Sequence, residues 1–154
     1  MRRVCVFLCL ILSACQSPPS MFYQRSEYKI QRVGGLVAST SPKFSRQEFV
    51  STPTQILVEE SWVLQNIENK PVQVALGSAV AKIKDKSYPL TCTSEPKGEA
   101  SVSVAPGEKV VVNCQWSLPK RAQERNDLWV TFHLPLSGGE AITSSKIIRA
   151  EDLQ

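Results

Sequence analysis

Histidine is almost missing: the chain of 154 residues holds one, His133, beside only two methionines and seven glycines. That scarcity excludes much chemistry. A serine nucleophile needs a base beside it. The single histidine sits in Trp129-Val130-Thr131-Phe132-His133-Leu134, where strand alternation sends Val130 and Phe132 inward and His133 outward with Thr131. No G-x-S-x-G and no glycine-rich phosphate loop occurs, and Gly138-Gly139 belongs to a plain turn, Ser137-Gly138-Gly139-Glu140. A zinc or copper site needs three or four suitable ligands. Beyond the leader the chain offers His133, Met21 and two cysteines not already committed, so neither a metal, a cofactor nor an enzyme is expected. Also lacking is any apolar run near the ~20 residues of a membrane-spanning helix. Sustained helical periodicity is missing too; the best helical candidate, Lys120–Asp127, is short and charged all round.

The apolar run that does exist lies at the start. Met1-Arg2-Arg3 precedes Val4–Leu12, and Leu12-Ser13-Ala14-Cys15 follows. Positive charge, a short apolar stretch and small residues before a cut are the layout of a secretory signal. Leu12-Ser13-Ala14-Cys15 resembles the lipobox of bacterial lipoproteins. The resemblance implies cleavage before Cys15, diacylation of its sulfur and acylation of the new amine. Two or more chains make membrane attachment stable. Gln16 stands where an aspartate favours the inner membrane in enterobacterial lipoproteins, so the periplasmic face of the outer membrane is the expected site.

Removing residues 1–14 takes two of the eighteen basic residues and no acid, leaving sixteen against fourteen. A near-neutral chain lacks the basic excess of a nucleic-acid binder. Cys5 and Cys9 leave with the signal and Cys15 carries lipid, so Cys92 and Cys114 remain for an oxidising compartment. Their spacing is far from C-x-x-C, and a Cys92–Cys114 disulfide is predicted, closing a loop of about twenty residues and worth roughly 3 kcal/mol.

Residues 15–27 read as a lipidated tether, with Pro18 and Pro19 favouring an extended segment. Phe22 and Tyr23 are unusual in a bare linker and are candidate contacts for a partner or the lipid surface. From residue 28 to 154 the pattern is short strands. Residues 38–54, rich in Ser, Thr and Pro, read mostly as loop, with a short strand near Phe49. A weak first strand is predicted over Tyr28–Val33 before Gly34-Gly35, and further strands over Gln55–Gln65, Val72–Ile83, Ser87–Thr93, Val102–Val104, Lys109–Leu118, Leu128–Leu134 and Lys146–Arg149. In Lys109–Leu118, Val110, Val112, Cys114, Trp116 and Leu118 share one face while Asn113, Gln115 and Ser117 point the other way, the mark of a half-buried strand. About seven to eight such strands suggest an all-β, two-sheet sandwich with Trp62, Trp116, Phe132 and the disulfide inside.

One position resists that pattern. If Ile56, Val58, Trp62 and Leu64 face the core, so does Glu60. Either the strand bulges or breaks near Glu59–Ser61, or Glu60 is a buried acid with a partner.

Gln65-Asn66-Ile67-Glu68-Asn69-Lys70-Pro71-Val72-Gln73-Val74 resembles bacterial immunoglobulin-like domains, in which an Asn-rich turn leads into Val-x-Val. Val102-Ser103-Val104-Ala105-Pro106-Gly107-Glu108 resembles their strand followed by Pro-Gly-Glu. The resemblance implies an immunoglobulin-like sandwich and says nothing of binding specificity. The cysteines are closer in sequence than in antibody domains, and no tryptophan lies between them. Basic loop ends at Lys82, Lys84, Lys86, Lys97, Lys120, Arg121 and Arg125, with Glu and Asp interspersed, form a solvated rim whose alternative role is a weak contact with anionic lipid head groups or an acidic partner; Lys120, Arg121 and Arg125 are candidate partner contacts. The expected function is a non-enzymatic, membrane-anchored accessory subunit of an envelope assembly, such as a secretion or conjugation machine. The alternative is a cell-surface small-ligand or glycan-binding module using the loops around Trp129 or the tether aromatics.

Overall fold

The computed structural model describes residues 20–25, 29–40, 46–51, 55–96, 100–119 and 126–149. Its longest pairing follows directly from the alternation. β5 (Gln55–Asn66) and β11 (Lys109–Pro119) run antiparallel in unbroken register, from Lys109 opposite Gln65 to Pro119 opposite Gln55. Inward pairs are Leu64 with Val110, Trp62 with Val112 and Val58 with Trp116. The outer face is a polar ladder. Ser61 donates to Asn113 at 2.6 Å, Gln115 to Glu59 at 2.6 Å, and Ser117 reaches Gln55 diagonally at 2.8 Å. Period-two patterning thus buries the large apolar side chains on one face and gives the other its hydrogen-bonding ones, with Leu57, Val63 and Val111 among them.

Around this pair grows the larger sheet. On one side of β11 lies β9 (Thr91–Glu95). On the far side of β5, β3 (Leu36–Thr40) covers its second half and β4 (Arg46–Ser51) its first. β2 (Ile30–Val33) pairs with β3, and β1 (Ser20–Arg25) with β4. The facing sheet orders β13 (Ala141–Ile148), β12 (Leu128–Pro135), β7 (Val80–Ile83) and β8 (Lys86–Pro89). A two-stranded ribbon of β6 (Val72–Val74) and β10 (Val102–Val104) joins it through a Val74–Leu136 bridge. Between the layers lies one core, with Trp62, Phe132, Leu64, Leu134 and Ile142 fully buried and Trp116 nearly so.

The molecule is the expected all-β sandwich, with thirteen strands where about seven to eight are expected. Several differences add strands, and one moves a boundary. Ser20–Arg25, read as tether, is β1, so strand structure starts well before residue 28. Residues 38–54, read mostly as loop, hold the short strand expected near Phe49, β4, and also the second half of the unexpected β3, since pairing to neighbouring strands overrides the weak propensity of a Ser/Thr/Pro-rich stretch. Val72–Ile83 is broken by a 3-10 turn at Leu76–Ser78, and Ser87–Thr93 is broken at Leu90, where the chain crosses between sheets. The last strand begins at Ala141, five positions before the expected Lys146.

Two local devices fix the frame. The first is the turn end shared by Asn66 and Ala105–Glu108. Gly107 takes φ +75°, the left-handed value that suits glycine after Pro106, and Glu108 N–H donates to Ala105 carbonyl at 3.0 Å. Asn66, 1% exposed, donates to the carbonyls of Lys70 and Val104 at 2.8 Å each and accepts from Glu68 N–H at 2.8 Å. Asn66→Ala strands three buried or half-buried backbone groups and is expected to cost about 2 kcal/mol in a urea melt. Unchanged stability would show that water replaces the amide. The second is Gln31, whose side-chain amide donates to Thr143 carbonyl and accepts from Thr143 N–H, occupying backbone groups on the outer edge of β13.

Candidate functional site

The conflict at Glu60 resolves as a buried acid with a partner. β5 runs through Glu59–Ser61 without a bulge, and Glu60 points inward, 2% exposed. Lys146, on inward-facing β13 of the opposite sheet, forms an ion pair with it across the sandwich. The same ammonium donates to Glu59 carbonyl at 2.8 Å and stands 5.3 Å from the Phe132 ring centre. Burial pushes the Glu60 carboxyl above its ordinary value, opposed by the charge and hydrogen bond of Lys146 and by Ser144 and Ser61 N–H. Burial likewise pulls Lys146 down, opposed mainly by Glu60. Buried between the two sheets, the pair ties them together.

In register, Glu60 stands opposite Cys114, and Cys114 opposite Cys92. Cys92 and Cys114 are disulfide-bonded, with Cα atoms 4.0 Å apart. The bond links adjacent strands of one sheet, whereas the antibody-type bond spans two sheets. It staples β9, which pairs only with β11 among the described strands.

A cavity of about 350 Å³ opens at one end of the sandwich. Ile83, Tyr88, Leu118 and Leu128 line it, and the β7–β8 turn adds Lys84, Asp85 and Lys86. Tyr88 rests against Trp116, ring centres 5.2 Å apart at 37°. On the outer face of the second sheet, next to this end, Trp129 is 66% exposed and lies opposite Ile147. His133, on the same outer face, is half-buried, and its imidazole is held below the ordinary value by that burial first and by Lys82 second.

Of the expected site residues, Cys15, Lys120, Arg121 and Arg125 lie outside the described residues, as does Lys97. Phe22 and Tyr23 are in β1, opposite Phe49 and Glu48. Lys146 is the functional candidate that sequence reasoning missed. Its signal was present in Ile142-Thr143-Ser144-Ser145-Lys146-Ile147-Ile148, where alternation from the buried Ile142 and Ile148 puts Lys146 on the inward face. Among the described residues no group of three or more His, Cys, Asp or Glu is placed to hold a metal ion. No helix among them is long and apolar enough to cross a membrane.

No protein-family model matches the chain, and no curated protein matches it. Similar solved structures include an uncharacterized β-sandwich protein from Clostridium difficile, with TM-score 0.44, 10% identity, and coverage of 73% of this chain and 86% of that one. Another is the archaellum periplasmic stator protein complex FlaF and FlaG from Sulfolobus acidocaldarius, with TM-score 0.36, 16% identity, and coverage of 80% and 99%. These are loose likenesses between strand-built chains and carry no functional argument.

Proposed function

We propose that this protein is a non-enzymatic lipoprotein of the bacterial envelope, anchored through acylated Cys15, that serves as an accessory subunit of a multiprotein assembly. The periplasmic face of the outer membrane is the proposed location, on the strength of Gln16 after the lipidated cysteine. The disulfide between Cys92 and Cys114 supports an oxidising compartment. The observation that carries the docking role is the set of sheet edges. Among the described strands, β1 pairs only with β4, β9 only with β11, and β8 only with β7. Such edges are surfaces to which a partner adds a strand. The immunoglobulin-like relationship implied by the two turn motifs belongs to the same proposal.

The test is native size. The lipidated protein is crosslinked in the cell, extracted in mild detergent, and sized by gel filtration with mass spectrometry of the peak. A high-mass peak with defined partners is expected. A peak of monomer-plus-micelle size, with all envelope complexes intact in a deletion strain, would remove the accessory-subunit reading.

A further inference from the structure

The pairing registers fix which end of the sandwich adjoins the lipid anchor. Ser20, the first residue of β1, stands opposite Ser51; Ser51 stands opposite Ile56; Ile56 stands opposite Leu118. Leu118 lines the end cavity together with the β7–β8 turn and Leu128, and Leu128 pairs with Ile148. The start of β1, the end of β11, the β7–β8 turn, the start of β12 and the end of β13 therefore gather at one end. Cys15 precedes Ser20 by five residues. At ~3.3–3.6 Å per residue that leash reaches about 18 Å at most. β5 alone, with twelve residues, spans roughly 40 Å at ~3.3 Å each. So short a leash keeps the cavity end near the bilayer and the Asn66–Gly107 end away from it.

That end also carries chemistry suited to an anionic bilayer. Lys82, Lys84 and Lys86 are all exposed on the β7–β8 hairpin, with Asp85 among them and Asp127 before β12. Lys82 stands opposite Thr131. Two residues back along β12, Trp129 comes level with Lys84 on the outer face. It is the most exposed large apolar side chain among the described residues, at 66%. Tryptophan favours the headgroup layer, where its ring is half in hydrocarbon and its N–H is solvated. Lysines near such a surface are attracted to acidic lipids.

We propose that the cavity end of the sandwich is a lipid-docking face: Lys82, Lys84 and Lys86 meet anionic phospholipid headgroups, Trp129 seats at the headgroup boundary, and the domain is held in one orientation. The inference rests on the acylation of Cys15 proposed above. It assigns the free sheet edges to the side of the molecule and leaves them open to partners.

The test uses the full acylated protein in vesicles of phosphatidylcholine, with and without a third of phosphatidylglycerol, carrying bromine on the upper acyl chain. Trp62 and Trp116 are buried, so quenching reports Trp129. Quenching is expected on the anionic vesicles, to fall on the neutral ones and at high salt, and to vanish in Trp129→Phe. The exposed-residue variant Lys82→Gln/Lys84→Gln/Lys86→Gln should keep the parent's far-UV dichroism and lose most of the quenching. Unquenched Trp129 on vesicle-bound, acylated protein overturns the proposal, and so does quenching indifferent to lipid charge and to the lysine variant. A mass spectrum of the N-terminal peptide separates this from failure of the anchor: an unmodified Cys15 removes the leash, and the docking face with it.

Discussion

Lys146→Met is expected to destabilise the sandwich by roughly 3–5 kcal/mol, the range found when one member of a buried ion pair is removed. The side chains of Lys146 and Glu60 are 5% and 3% exposed, so solvent does little to screen the abandoned carboxylate. The variant also loses the donation to Glu59 carbonyl and the cation beside the Phe132 ring. Glu60→Leu/Lys146→Met gives the decisive contrast. Replacing both partners by apolar groups removes the desolvation cost of two ions, and such replacements are often neutral or stabilising by about 1–4 kcal/mol. The single variant should therefore be far less stable than the double. Equal urea midpoints for parent, single and double would show that water reaches the pair.

The same variant has a distinct pH signature. Burial already raises Glu60 in the parent, and Lys146 is the chief opposing cause. Without Lys146 the carboxyl stays raised. A raised folded pKa means that the folded state holds the proton more tightly than the unfolded chain. That contribution is full below the unfolded carboxylate value and is lost as pH rises through the folded one. Lys146→Met should thus come closest to the parent in acid and fall away from it as pH passes upward through the raised value. A denaturation series across that window checks the sign; a deficit that grows on acidification would contradict it.

Strand pairing by alternation was the legible part of this fold. β11 could be read because five inward apolar residues alternate with hydrogen-bonding ones, and its partner β5 because Val58, Trp62 and Leu64 do the same. Glu60 announced itself as the one residue that broke the pattern. Its resolution was not local: the partner comes from the opposite sheet, eighty-six positions later, and no spacing rule couples strands across a core. β3 was hidden at the start of a Ser/Thr/Pro-rich stretch in which only the short strand near Phe49, β4, could be read, and the pairing of both to β5 arises from tertiary context. The end cavity is assembled from β7, β8, β11 and β12, so its lining has no sequence signature. The break at Leu90 was masked because Tyr88, Leu90 and Cys92 alternate as one strand, although the chain changes sheet between them.

Removing the disulfide by Cys92→Ala/Cys114→Ala is expected to cost about 3 kcal/mol, the chain-entropy value for a separation of 22 residues. For a domain of this size that lowers the melting temperature by roughly 10 °C. The loss should be uneven. β9 is held on one side by β11 and by this bond, so amides of Thr91–Glu95 should lose exchange protection before those of β5 and β11. Cys114 also neighbours Glu60 in register. The cost should therefore not add simply to that of Lys146→Met: a β9 already loosened lets water relieve the stranded carboxylate, and the combined variant should lose less than the sum. Strict additivity would mean that the bond and the ion pair stabilise independent parts of the core. A parent protein with two titratable thiols before reduction, or a melt unaffected by reductant, would show that the bond does not form in the mature chain.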